Sequence, residues 1–240
     1  MSGIGHAERH FIGSNLSDII LGGQDGLVNV LGLVLGVAGG TNSTSIVLIA
    51  GLAATFAETI SMGAVAYTSS KADKEYYMKQ LELERDEIKR IPEVEENEIR
   101  GIYHKKGFRG NLLNKVVNKI TSNRKVWLNT MMTEELGLSS SPKINPLRNG
   151  MIVFISTLIG SIIPLVPFVL LSVQNAIITS LLLSVLVLFL VGVVKARLTV
   201  GSWFRSGFEL SLIGTLAALS GYFIGLGLGN LFGTNVAAVG

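Results

Sequence analysis

The chain has 240 residues, of which 48% are hydrophobic and 15% charged, and its mean hydropathy of +0.51 excludes an ordinary soluble domain with a solvated surface. Its net charge is +3 and its pI about 9.2, which basic loops beside an anionic membrane leaflet explain without a nucleic-acid partner. Cysteine is absent, which excludes disulfides and thiolate metal sites and leaves oxygen, nitrogen and thioether sulfur as the available metal ligands.

Apolar residues are gathered into five blocks along the chain. Each block is close to the about 20 residues that a helix needs to cross about 30 Å of hydrocarbon. Helices are favoured over strands because a helix satisfies its backbone hydrogen bonds internally. We therefore predict an all-α, multi-pass membrane protein with five transmembrane helices, at about residues 16–40, 45–68, 149–171, 175–194 and 208–232.

The first two predicted spans contain acidic residues at depths where membrane helices rarely have them. A charge at mid-bilayer costs at least about 2.5–3.5 kcal/mol unless it faces a partner or water. Asp25 lies deep in the first span, and Glu58 and Met62 are four residues apart in the second, so we predict that these side chains line one pathway. A polar stripe runs along the first span at spacings of four, three and four residues: Asp18, Gly22, Asp25 and Asn29.

The segment between the second and third spans is the only polar domain. Its residues 71–90 are predicted to extend the second helix until Pro92 breaks it, and residues 93–106 and 112–138 are predicted to form two more helices. This pattern predicts a three-helix insert at residues 71–147, between transmembrane parts at 1–70 and 148–240.

Acidic residues and methionines recur in this insert at helical spacing. Members of each set lie three or four residues apart, so each set projects from one helix face. Carboxylates suit Mg²⁺, Ca²⁺ or Mn²⁺, and thioether sulfur shifts the preference toward a borderline ion such as Fe²⁺. Solvated acidic surfaces and core methionines are the alternative explanation, which the spacing leaves open. The residues are Glu84 and Glu87, Glu95 and Glu98, and Met131, Met132 and Glu135.

Basic residues predict the orientation of the chain. Sixteen of the 20 lysines and arginines lie between the second and third spans. The remaining four lie before the first span or between the fourth and fifth. The positive-inside rule therefore places the N-terminus and the insert in the cytoplasm.

Glycines repeat every four residues in the first and last spans. Gly32, Gly36 and Gly40 form one stripe, and Gly221, Gly225, Gly229 and Gly233 form the other. Such stripes allow close helix contact. They are compatible both with a dimer and with packing inside one chain.

Seven short motifs, in order along nearly the whole chain, resemble the vacuolar iron transporter family. The resemblance implies a homodimer of five-helix protomers with a pathway between the first and second helices, and an Fe²⁺/H⁺ exchange that removes iron from the cytosol. The motifs are His6-Ala-Glu-Arg-His-Phe11, Asp18-Ile-Ile, Gln24-Asp25-Gly26-Leu27, Glu58-Thr-Ile-Ser-Met62-Gly63, Trp127 to Met131-Met132, Glu135-Leu-Gly-Leu138 and Ile163-Pro-Leu-Val-Pro167.

The resemblance also implies roles for individual residues. It implies that Asp25 and Met62 are the metal ligands inside the membrane, and we expect Asp25 and Glu58 to carry the proton. In the insert it implies a metal site whose carboxylates are Glu84, Glu87, Glu95, Glu98 and Glu135, with Met131 and Met132 as its methionines.

We therefore predict an Fe²⁺/H⁺ antiporter that exports iron, with Mn²⁺ as a second candidate ion and no prosthetic group. The alternative is a membrane-anchored metal sensor or buffer, which binds the ion without moving it. No nucleophile–base arrangement or phosphate-binding loop indicates an enzyme. The short segment before the first span favours a prokaryotic cell membrane over a vacuolar one.

Overall fold

The computed structural model describes residues 3–138 and 145–234, with side chains from residue 16 onward. The side chains of His6 to Phe11, part of the first motif, therefore lie outside the described residues. Within the described ranges the chain is helical and contains no strand. Five of its helices are long and apolar enough to cross a membrane, which confirms the predicted class: Leu16–Thr41, Thr44–Arg90, Pro146–Leu170, Val173–Leu198 and Trp203–Phe232.

Prolines mark two of the breaks between helices. Pro92 begins a new helix directly after the long second one ends, as predicted. A 3-10 turn at Ile163–Leu165 interrupts the third span, because Pro164 has no N–H to donate to the helical ladder. The helices are α1 (Gly3–Thr41), α2 (Thr44–Arg90), α3 (Pro92–Lys105), α4 (Gly110–Thr121), α5 (Arg124–Thr130), α6 (Pro146–Ile162), α7 (Val166–Leu170), α8 (Val173–Leu198) and α9 (Trp203–Phe232).

The chain divides into two compact units. The membrane unit comprises Met1–Tyr67 and Leu147–Gly240, and the insert unit comprises Thr68–Pro146. In the membrane unit, α1 supplies much of the buried core, which it forms with residues of α7, α8 and α9. In the insert unit, the end of α2 packs with α3, α4 and α5 around Ile99 and Val117, both fully buried.

The third predicted insert helix, at residues 112–138, is not continuous. The side chain of Asn123 accepts hydrogen bonds from the backbone N–H groups of Lys125 at 3.0 Å and Val126 at 3.3 Å. This is an N-cap, and it begins α5 after α4 has ended at Thr121. Apolar periodicity continues on both sides of the cap, so periodicity alone does not reveal the break.

The two glycine stripes pack against each other inside one chain. A Cβ atom on Gly36 would lie 2.9 Å from the carbonyl oxygen of Gly221, and one on Gly40 would lie 2.8 Å from that of Gly225. A Cβ atom on Gly225 would overlap the carbonyl group of Gly36. The close approach of α1 and α9 therefore accounts for Gly36, Gly40, Gly221 and Gly225 without a second copy of the chain.

We expect Gly225→Ala to destabilise the membrane unit by about 1–3 kcal/mol, because its methyl group would force α1 and α9 apart. Gly227→Ala is the matched control. Gly227 lies on the same helix with nothing within 4 Å of an added Cβ, so its replacement is expected to be neutral or stabilising. Thermal unfolding of the two variants in detergent measures the difference, and equal midpoints would contradict the close packing.

Candidate metal-binding sites

Three carboxylates from three elements of the insert unit converge on one point. Glu84 of α2, Glu95 of α3 and Glu135 each offer an oxygen atom, and these three atoms lie within 4.8 Å of one another. Glu84 is only 5% exposed and Glu95 only 3%, whereas Glu135 is exposed. We call these three residues the carboxylate cluster. An oxygen-rich cluster of this size matches the ligand preference of a divalent cation.

The helices position the two buried acids through core residues one turn away. Ile88 follows Glu84 by four residues on α2, and Ile99 follows Glu95 by four on α3; both isoleucines are buried in the insert core. Residues four apart share a helix face. Packing of the isoleucines therefore holds the two carboxylates on the buried side of their helices.

A π-helical turn positions the third acid. The turn comprises Met131–Glu135 and follows α5 directly. The N–H of Leu136 donates to the carbonyl oxygen of Met131 at 3.2 Å. A π-turn has a wider hydrogen-bonded loop than an α-helix and changes the direction in which the following side chains project. Such turns often occur at functional sites.

The cluster is electrostatically unfavourable without a cation. Glu84 Oε2 and Glu95 Oε2 are buried and have no hydrogen-bond partner among the described residues. Burial and the neighbouring carboxylates of Glu98, Glu84 and Glu87 raise the pKa of Glu95 to about 7. Burial and the neighbouring carboxylates of Glu87 and Glu98 raise the pKa of Glu84 above its usual range. Burial and Glu98 raise the pKa of Glu135 to about 7.

The other predicted insert ligands occupy different surroundings. Glu87 is half-buried and Glu98 exposed, and their charges act on the cluster from its edge. Met131 and Met132 are fully buried. Met131 packs in the apolar core that contains Trp127, as a core methionine does. The structure therefore places Met131 in the core, and a thioether ligand role stays a prediction.

We expect the insert unit to be more stable at pH 5.5 than at pH 8 when metal is removed with a chelator. A carboxylate whose pKa is raised by folding stabilises the fold below its unfolded pKa, and that contribution is lost as the pH rises through the folded value. For Glu95 and Glu135 this window runs from the ordinary value of 4.5 to about 7.

Fluorescence of Trp127 measures this unfolding in the full chain, with Trp203 replaced by Phe so that one tryptophan reports. The midpoint is expected to fall by several degrees between the two pH values. Saturating Mn²⁺ should remove the difference, because the cation neutralises the ionised cluster. Glu95→Gln is the control and should reduce the pH dependence. A midpoint that is the same at both pH values would contradict the raised pKa values.

A second polar group lies in the membrane unit. The side-chain amide of Asn29 on α1 donates to Glu58 Oε1 on α2 at 2.9 Å, and the carboxyl group of Asp25 lies near both side chains. We call Asp25, Asn29 and Glu58 the intramembrane polar group. Sequence reasoning included Asn29 in a polar stripe but missed it as the partner of Glu58. Asn29 lies four residues after Asp25, and this spacing was the signal that the two side chains share a helix face.

Met62 lies at the same level of the membrane unit as Asp25. The two helices are antiparallel, because a Cβ on Gly51 of α2 would meet Val34 of α1 whereas Glu58 meets Asn29. Met62 lies one turn beyond Glu58 along α2, and Asp25 lies one turn before Asn29 along α1. The α1–α2 pair can thus offer a carboxylate and a thioether to a borderline divalent cation.

Comparisons with known proteins point to one family. The sequence model of the VIT family matches residues 16–226. The chain is 33% identical over 219 residues to vacuolar iron transporter 1 of Tulipa gesneriana, covering 90% of this chain and 89% of that protein. It is 34% identical to vacuolar iron transporter 1 of Arabidopsis thaliana, covering 90% and 88%. It is 30% identical to the vacuolar iron transporter of Plasmodium falciparum (isolate 3D7), covering 94% and 86%.

Proposed function

Because this chain belongs to the VIT family, we propose that it transports iron across a membrane as a proton-coupled antiporter that exports Fe²⁺ from the cytosol. The similar proteins named above are iron transporters by name, and transporters are not enzymes. The observation that carries the proposal is the intramembrane polar group. Acidic residues inside membrane helices are costly and are typical of ion and proton pathways.

The carboxylate cluster is the proposed first binding site. Glu84, Glu95 and Glu135 supply oxygen ligands, and their mutual repulsion makes a divalent cation a favourable addition. Glu87 and Glu98 add negative charge at the edge, which attracts a cation to the site. Fe²⁺ is the proposed substrate and Mn²⁺ a second one, because both accept carboxylate oxygen.

Asp25 and Met62 form the proposed second site, inside the membrane. Asp25 binds either the metal or a proton, because one carboxylate cannot hold both well. Glu58 lies beside Asp25, so a proton released by one acid can be taken up by the other. Exchange of Fe²⁺ for protons at this pair is the proposed basis of antiport.

Flux into proteoliposomes tests the proposal. Purified full-length protein is reconstituted, and entry of Fe²⁺ under anaerobic conditions and of Mn²⁺ is followed with and without an acidic lumen. Entry driven by the proton gradient is the expected result. Metal binding without entry under any gradient would instead identify a membrane-anchored sensor or buffer.

A homodimer is the proposed assembly. In the single chain Asn29 is exposed, and Asp25, Glu58 and Met62 are only half-buried. A polar group at this depth is stable when it faces protein or water and costly when it faces lipid. A second copy that covers the exposed sides of α1 and α2 provides that environment.

The cytoplasmic placement of the N-terminus and insert is proposed from the basic residues alone.

We expect Leu33→Cys to cross-link two copies in the membrane. Leu33 follows Asn29 by four residues on α1 and is partly exposed on the same face. The natural chain has no cysteine, so the introduced thiol is the only one. Ile178→Cys is the matched control, because Ile178 is 61% exposed on a different helix, α8. Dimer formation by Ile178→Cys but not Leu33→Cys on a denaturing gel would contradict the assembly.

A further inference from the structure

Five buried hydroxyl groups of the membrane unit have no hydrogen-bond partner among the described residues. One belongs to Ser184 of α8. The other four belong to Thr55 and Thr59 of α2 and to Thr157 and Ser161 of α6, and each of these four residues is at most 1% exposed. We call these residues the hydroxyl cluster. Serine and threonine in membrane helices usually donate to the carbonyl four residues earlier, as Ser156 does to Ile152 at 2.7 Å.

Contacts of neighbouring glycines place the two pairs at matching levels of adjacent helices. Positions 51, 55, 59 and 63 of α2 lie on one face, and all four are buried. At one end of this face a Cβ on Gly63 would lie 3.0 Å from Cβ of Phe154, and at the other a Cβ on Gly51 would meet Leu165. The helices are therefore antiparallel along this face, and Thr59 and Thr55 lie at the levels of Thr157 and Ser161.

The hydroxyl cluster also contacts α1. A Cβ on Gly22 would lie 2.9 Å from Thr157 Oγ1, and one on Gly26 would lie 2.6 Å from Ser161 Oγ. Gly26 follows Asp25 directly, and Thr59 follows Glu58 directly. The cluster and the intramembrane polar group thus occupy neighbouring faces of the same two helices.

We propose that the hydroxyl cluster holds internal water, and that this water relays protons to the intramembrane polar group. Buried hydroxyls without partners are costly, and internal water typically binds where several such groups meet. Each hydroxyl both donates and accepts, so a water held between them continues a hydrogen-bonded chain. The proton then reaches Asp25 and Glu58 from inside the protomer, separately from the metal. The relay rests on the proposed proton-coupled transport, whereas the water site does not.

Isosteric replacement tests the water site. We expect Thr59→Val and Thr157→Val each to lower the thermal unfolding midpoint of the full chain by about 2–6 °C, because the water loses a partner. Thr215→Val is the matched control: its hydroxyl donates to the carbonyl oxygen of Ser211 in its own helix at 2.7 Å, and a change within about 1 °C is expected. Midpoints that are unchanged or raised in both cluster variants would overturn the proposal, since a dry hydroxyl is replaced by a methyl group without loss.

Flux tests the relay. The double variant Thr59→Val/Thr157→Val is expected to lower gradient-driven Fe²⁺ entry into proteoliposomes at least about fivefold, with Mn²⁺ affinity within about twofold of wild type. A lowered midpoint with wild-type flux would overturn the relay. Flux of the wild-type protein is measured first. If it shows no gradient-driven entry, the proposed antiport itself is contradicted.

Discussion

Asp25→Asn is expected to reduce proton-driven Fe²⁺ entry to the rate of protein-free vesicles. The amide keeps the size of the side chain and its place beside Asn29 and Glu58, but it carries no negative charge and cannot be protonated at these pH values. It removes both a metal ligand and a proton carrier from the proposed exchange. The rate of Fe²⁺ entry into proteoliposomes with an acidic lumen measures the effect.

Asp18→Asn is the matched control for this variant. Asp18 lies on the same helix and is also half-buried, but two turns from Asp25 and near the predicted start of the span. We expect its replacement to keep flux within about twofold of wild type. Metal binding at the insert should be normal in both variants. Wild-type flux in Asp25→Asn would remove that residue from the pathway.

The double variant Glu84→Gln/Glu95→Gln is expected to weaken Mn²⁺ binding at the insert at least about 100-fold, which corresponds to about 2.7 kcal/mol. It replaces two of the three carboxylates that meet within 4.8 Å, and these are the two buried ones. Neutral amides relieve the repulsion in the metal-free cluster, so the variant should also unfold at a higher temperature than wild type at pH 8. Weaker Mn²⁺ binding together with a higher unfolding temperature would show that the variant has lost metal ligands and has not misfolded.

Calorimetric titration of the full chain measures this binding, and an Asp25→Asn background removes the proposed second site from the signal. Glu93→Gln is the control, since Glu93 is exposed in the first turn of α3 and outside the carboxylate cluster. The Mn²⁺ affinity of Glu93→Gln in this background should match that of Asp25→Asn alone. An unchanged titration in the double variant would show that the metal binds elsewhere.

Two predicted sites differ in how completely the fold assembles them. The carboxylate cluster is formed by one chain, because Glu84, Glu95 and Glu135 meet inside the insert unit. The intramembrane polar group is assembled but only partly covered, since Asn29 is exposed in the single chain. We therefore expect the proposed dimer to affect transport in the membrane more than metal binding by the insert.

The sequence by itself determined the class of the protein and the approximate positions of its five spans. Block length and hydropathy predict the five spans, since a lipid-embedded backbone must satisfy its own hydrogen bonds. Pro92 predicts the end of α2, because proline has no N–H to continue the helical ladder. Helical spacing also placed Glu84 with Glu87 and Glu95 with Glu98 on common faces. All of these are local properties of one helix.

Only the tertiary structure decided which faces meet. Glu84 and Glu95 are buried whereas their partners Glu87 and Glu98 are not, because the packing of Ile88 and Ile99 orients each helix. The glycine stripes contact each other within the chain, although their spacing was equally compatible with a dimer. The unpartnered hydroxyls of Thr59 and Thr157 were invisible to periodicity. A residue pattern specifies which side chains share a helix face, but the partner of that face depends on how separate helices cross, and no single segment encodes that.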